Sequence, residues 1–181
     1  MISGKTGHDV GARTKGPISS KICDPPKSCP NCVQATALAA ELTEEQLRTL
    51  FDVLEIRRLS KNEILITQGE YDDHLYAIAR GEFEISRRSD AGREVVLHRL
   101  GPGNITGELA FLDGLTRTAI VRAAAEEESC VVCLHRDRLE SLLSVDPSIV
   151  YKVMRAIIRS AHRTVGNLDT AYMDFVRYVS S

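Results

Sequence analysis

The chain has no apolar run of the roughly 18 residues that a membrane span requires, and no apolar signal region at its N-terminus. A membrane protein and a secreted precursor are both unexpected, and the cytoplasm is the expected location. Charge of one sign is also missing. The formal net charge is -2 over 181 residues, so a nucleic-acid binder driven by bulk positive charge is disfavoured. There is no internal repeat. None of the five histidines (His8, His74, His98, His135, His162) has a serine or cysteine at a suggestive local spacing, so an enzyme is not expected. Five cysteines are an odd number. Without an export signal they point to reduced thiols, not to a disulfide framework.

What is present is the balance of a soluble globular protein, 43% apolar and 27% charged, in a length that suits one domain with extensions. The charge is distributed unevenly. Residues 1–34 and 147–181 each carry five Lys/Arg against two acids, while 35–146 carries 13 bases against 21 acids. An anion bound by that acidic middle must therefore be held by one local site.

The patterning divides the chain in three. Residues 1–34 contain Pro17, Pro25, Pro26, Pro30 and three cysteines with no apolar period, and read as a flexible arm. In 35–146, Thr43 and Gln46 fit a capping box before a helix with Leu47, Leu50, Phe51 and Leu54 at helical spacing. Short strands are then expected over 63–67, 75–80, 82–88, 94–100, 119–124 and 129–135, separated by glycine turns. The fold class that follows is mainly β with flanking helices, an antiparallel roll or sandwich. Within it, 107–113 reads as a single helical turn, and 137–143 as a short helix. From 147 to 181 a long helix is expected, capped by Asp146 with Pro147 at its first position. Val150, Val153, Ile157, Ala161, Thr164, Leu168, Ala171 and Phe175 recur in steps of three and four along it. That near-heptad seam outruns a small body and suggests a partner helix, most simply in a homodimer.

The most informative stretch is 103–119, GNITGELAFLDGLTRTA. A helical turn starting near Gly107 offers backbone N–H groups to an anion, and Gly107 permits close approach. Arg117 is placed to return to the same cavity and fork onto a phosphate. A carboxylate, Glu108, beside such a site makes sense if the ligand also presents hydroxyl donors. An anion together with a diol describes a nucleotide.

These residues resemble the phosphate-binding cassette of cyclic nucleotide-binding domains. Gly107-Glu108-Leu109-Ala110 and Arg117-Thr118-Ala119 match its two halves, and 64–85, with Gly69 and Gly81, resembles the strand and glycine signature before it. The resemblance spans about 43–164 and implies a double-stranded β-helix, or jelly-roll, with a long C-terminal helix. It further implies that Glu108 takes the ribose 2′-hydroxyl and that Arg117 pairs with the cyclic phosphate. Leu109 and Ala110 would offer backbone N–H groups, and Thr118 its hydroxyl, to the same phosphate. Leu97 matches an apolar position against the base, with plain core as its alternative. Thr164, 17 residues after Pro147, matches a helix threonine that contacts the adenine in the catabolite activator, with a place in the helix seam as its alternative. The implied ligand is cAMP by preference or cGMP, and no cofactor is expected. Ligand-driven movement of the terminal helix is the implied mechanism. No recognition helix follows in these residues, so direct DNA binding is not expected and the output is an unidentified effector protein.

Cys23, Cys29 and Cys32 form a second constellation with spacing suited to a metal or an iron–sulfur cluster. The fumarate–nitrate reduction regulators resemble this chain in having such a cluster, but their spacing runs in the opposite order. Their fourth cysteine would fall near Val132, between Cys130 and Cys133. Three cysteines that hold no metal are the alternative. Two other functions therefore stay open: a redox or metal sensor on the same scaffold, and a docking module that binds no nucleotide.

Overall fold

The computed structural model describes residues 30–34 and 36–180. A short helix α1 (Pro30–Gln34), a 3-10 turn at 37–39 and α2 (Glu44–Phe51) precede the strands. The capping box of α2 is made in full, with Thr43 Oγ1 accepting from Gln46 N and Gln46 Oε1 accepting from Thr43 N. Leu54 does not continue that helix as the spacing suggests. It opens β1 (Leu54–Leu59), a strand hidden in the sequence by Arg57 and Arg58. β2 (Ile64–Ile66), β3 (His74–Arg80), β4 (Phe83–Arg88), β5 (Glu94–Leu100), β7 (Ile120–Ala123) and β8 (Ser129–His135) fall where expected, and a two-residue β6 (Ile105–Thr106) is added. α3 (Glu108–Asp113) lies between β6 and β7, and α4 (Arg136–Ser141) and α5 (Pro147–Val179) follow β8.

The eight strands form two antiparallel four-stranded sheets, ordered β1-β8-β3-β6 and β2-β7-β4-β5. This is the expected β-roll with a long C-terminal helix. Two cores follow from strand alternation. Tyr76, Ile78, Val131 and Cys133 point into the roll with Phe83 and Val121, while Leu75, Ala77, Val132 and Leu134 face a helical layer. Covered on both sides, β8 reads as an unbroken apolar run and not as an alternation.

The helical layer extends past the expected boundary between arm and domain. Val33 on α1 is fully buried in the helix-facing core, although it lies before residue 35. The flexible arm expected before it falls, over 1–29, outside the described residues.

The seam of α5 also divides differently from the expectation. Val153 and Ile157 are fully buried against the protein's own core, with Val150 packed beside them. The side chains of Leu168, Ala171 and Phe175 lie outside the described residues. Among the described residues an exposed apolar row runs through Tyr151, Ile158, Val165, Tyr172 and Val179, each seven residues after the last. Among the described residues, no helix is long and apolar enough to cross a membrane.

Candidate functional site

Gly107 adopts the left-handed conformation, φ +82°, and leads directly into α3. The turn brings its carbonyl to Arg117, whose Nη1 donates to it at 2.6 Å. A Cβ on Gly107 would stand 2.5 Å from that same Nη1. Glycine is needed twice over, for the backbone angle and for the space. Gly107→Ala is expected to lose about 1–2 kcal/mol from the backbone alone and to displace the guanidinium. A lowered thermal midpoint together with weakened ligand binding checks this.

Arg117 is buried, with only 3% of its surface exposed. Its Nη2 donates to Asp72 Oδ2 at 2.7 Å and to the His74 carbonyl. Its guanidinium lies 5.8 Å from the centre of the Tyr76 ring. The Nε–H, also buried, has no hydrogen-bond partner among the described residues. A buried guanidinium with an unmet donor suits an anion that brings its own oxygen acceptors. Arg117 does not pair with Glu108; its carboxylate partner is Asp72.

Asp72 was not singled out from the sequence, yet it organises the site. It also accepts from the Tyr76 hydroxyl at 2.8 Å and meets His74 Nδ1 at 2.7 Å. Burial alone pushes its carboxyl up, but the His74 bond, the Arg117 charge and the Tyr76 hydroxyl outweigh that and hold it well below the usual carboxylate range. Tyr76 is pushed up, first by burial and then by the Asp72 charge. With its folded pKa depressed, Asp72 contributes stability that is fully present above its ordinary value of 3.8 and is lost as pH falls below it. Acid unfolding of wild type is therefore expected to begin below about pH 4 and to be blunted in Asp72→Asn. Thermal melts across pH 2–6 test this. The same substitution should weaken ligand binding, because one of the groups fixing Nη2 is lost.

The neighbouring Asp73 does the same at the other end of α3. It pairs with Arg136 at 2.8 Å, and Arg136 donates to the carbonyls of Phe111 and Ala110. A cation thus closes the C-terminal end of the helix. Consecutive aspartates on one loop hold two arginines, one at each end of α3. The loop is tied down by backbone bonds from Gly69 N to Arg117 O and from Arg117 N to Glu70 O. The only sequence signal was the alternation Asp72, His74, Tyr76, which places three polar groups on one side of an extended chain. Asp73 and Arg136, far apart in the chain, had none.

The other expected residues are placed less uniformly. Glu108 opens α3; burial pushes its carboxyl up, partly opposed by its own backbone N–H and by Arg117. Ala110 is buried, while Leu109 and Thr118 are exposed. Leu97 is 55% exposed and is not core. It is the unpaired residue of a β-bulge, because Ile85 pairs with His98 and Ser86 with Val96. Bulges re-aim side chains in this way. Thr164 donates its hydroxyl to the Ser160 carbonyl one turn back, and so spends that bond on its own helix.

Of the metal candidates, Cys23 and Cys29 lie outside the described residues, and Cys32 lies on α1. Among the described residues no group of three or more His, Cys, Asp or Glu is placed to hold a metal ion.

The sequence profile of the family described as "Cyclic nucleotide-binding domain" matches residues 56–146, which contain the two-armed cassette and both aspartates. The chain belongs to that family. A "CRP-like cAMP-activated global transcriptional regulator" of Mycobacterium tuberculosis is 33% identical over 115 residues, 63% of this chain and 50% of the relative. The chain thus spans about half the length of that regulator. Among solved structures, a cyclic nucleotide-binding domain from Methylobacillus flagellatus shares the fold at TM-score 0.72 and 20% identity, covering 86% of this chain and 87% of that one. The N-terminal domain of a transcriptional regulator from Streptomyces coelicolor is 28% identical at TM-score 0.61, covering 76% of this chain and 94% of its own.

Proposed function

We propose that this cyclic nucleotide-binding domain takes a cyclic purine nucleotide, cAMP in preference to cGMP, and acts as a signalling module without catalysis. One observation carries the reading: a buried arginine, fixed on Nη1 and Nη2, keeps an unmet Nε–H beside a left-handed glycine that opens a helix. In this reading the cyclic phosphate accepts from Arg117 and from the first N–H groups of α3. Glu108 accepts from the ribose 2′-hydroxyl, and Leu97, raised on its bulge, meets the base. The cAMP preference draws on the Mycobacterium relative, which is named as cAMP-activated.

Signal output passes through α5 to an effector protein in the cytosol. The first third of α5 is anchored by Ile149, Val153 and Ile157, and the remainder extends beyond that anchor. A ligand that favours one setting of this helix shifts its population by the difference in affinity. The exposed heptad positions Tyr151, Ile158, Val165, Tyr172 and Val179 form a stripe about 42 Å long at the rise of an α-helix. A second copy supplies the same stripe, so the proposed assembly is a homodimer along α5.

Calorimetric titration of the purified chain with cAMP and cGMP tests the ligand. Saturable binding of both with cAMP tighter is expected. No heat and no thermal stabilisation with either would overturn the proposal and leave a docking module.

A further inference from the structure

Cys32 and Cys130 are 98 residues apart in the chain, yet their Sγ atoms are 3.9 Å apart. Strand alternation puts Cys130 on the side of β8 that faces the helical layer, together with Val132 and Leu134. α1 packs on that side through Val33 and carries Cys32 with it. Cys133, three residues on, points into the roll instead, where burial pushes its thiol up. It is removed from this pairing by geometry.

A disulfide needs an Sγ–Sγ distance of about 2.0 Å. The observed 3.9 Å is van der Waals contact between two sulfurs. Closing the difference requires side-chain rotation and a slight shift of α1, the five-residue helix that carries Cys32. Cys32 is partly exposed and Cys130 is buried. That asymmetry suits an attacking thiol and a resolving thiol.

We propose that Cys32 and Cys130 form a reversible dithiol–disulfide pair that staples α1 to β8, with a small disulfide such as oxidised glutathione as the oxidant. The Cys32 thiolate attacks one sulfur of the oxidant, expelling one glutathione thiolate and leaving a mixed disulfide. The Cys130 thiolate then attacks Cys32 Sγ and expels the second. Two protein thiols give up two electrons and two protons, and one glutathione disulfide becomes two thiols. The consequence is mechanical. The 3-10 turn that follows α1 packs against α5, so the staple fixes the layer on which α5 rests. It also closes a long loop, which restricts the unfolded chain strongly. The proposal does not depend on what the cassette binds.

The test uses the full chain, reduced and then treated with oxidised glutathione, followed by peptide mapping without reductant in the Cys133→Ser variant. One crosslink between Cys32 and Cys130, reversed by dithiothreitol, is expected. A rise in thermal midpoint of about 5–10 °C should accompany it and be absent in Cys32→Ser. If Cys133→Ser does not fold, fragmentation of the crosslinked peptide from wild type distinguishes Cys130 from Cys133. Pairing of Cys32 with Cys23 or Cys29, leaving Cys130 open to alkylation after denaturation, would overturn the staple. So would stoichiometric zinc or iron held by these thiols in the reduced protein.

Discussion

Arg117→Ala should weaken cAMP binding by about ten- to a hundredfold or more. A hydrogen bond from a charged group contributes roughly 1.5–3 kcal/mol, and about 1.4 kcal/mol is a factor of ten. The structure adds a second effect. Removing the guanidinium leaves Asp72 half-buried with its strongest counter-charge gone, so the loop at 68–73 keeps only the Asp73–Arg136 hold on α3. Arg117→Lys separates the two effects, because it keeps the charge but not the fork. It should retain more of the melting temperature than of the affinity. Titration calorimetry and thermal melts on both variants decide the matter. Unchanged affinity in a folded Arg117→Ala would exclude this residue as the phosphate anchor.

The second large effect is a contrast between neighbours. Ile157 is fully buried in the helix-facing core, whereas Ile158 is 60% exposed on the heptad stripe. Ile157→Glu should not fold stably. Lost packing at such a site costs about 2–5 kcal/mol, and a buried carboxylate adds to it, against a total stability of about 5–15 kcal/mol. Ile158→Glu, alone or with Val165→Glu, should melt within a few degrees of wild type yet sediment as a monomer. Sedimentation velocity at tens of micromolar protein reads this out. A wild-type monomer at that concentration would refute the dimer and assign the stripe to another partner. The seam read from the sequence would have placed the probing charge at Ile157, where it breaks the fold before it reports on assembly.

That difference shows how far sequence periodicity reaches. Steps of three and four along α5 establish that the helix is amphipathic, but a 33-residue helix with apolar residues on two faces has two candidate seams. Only the packing of Ile149, Val153 and Ile157 on Leu134 and its neighbours says which face the protein uses itself. β1 escaped notice for a related reason. Glu55, Arg57 and Arg58 interrupt a strand whose Leu54, Ile56 and Leu59 are buried, and polarity averaged over a short window conceals that.

The cassette was legible because its chemistry is local. Gly107 must take a positive φ, a helical turn must follow it, and an arginine must return within ten residues. Each of these leaves a mark in the order of residues. By itself the sequence determined the roll, the capped helices, the helical turn after Gly107 and the long terminal helix, since turns, caps and alternation are short-range consequences of backbone geometry. The tertiary structure decided which partners those residues meet. Arg117 found Asp72 across 45 residues, Arg136 found Asp73, and Cys32 found Cys130 across 98. Such pairs arise from sheet register and from the packing of a helical layer on β8. Register couples distant segments through backbone hydrogen bonds that carry no residue-specific label, so the pairs come into view only when the roll is closed.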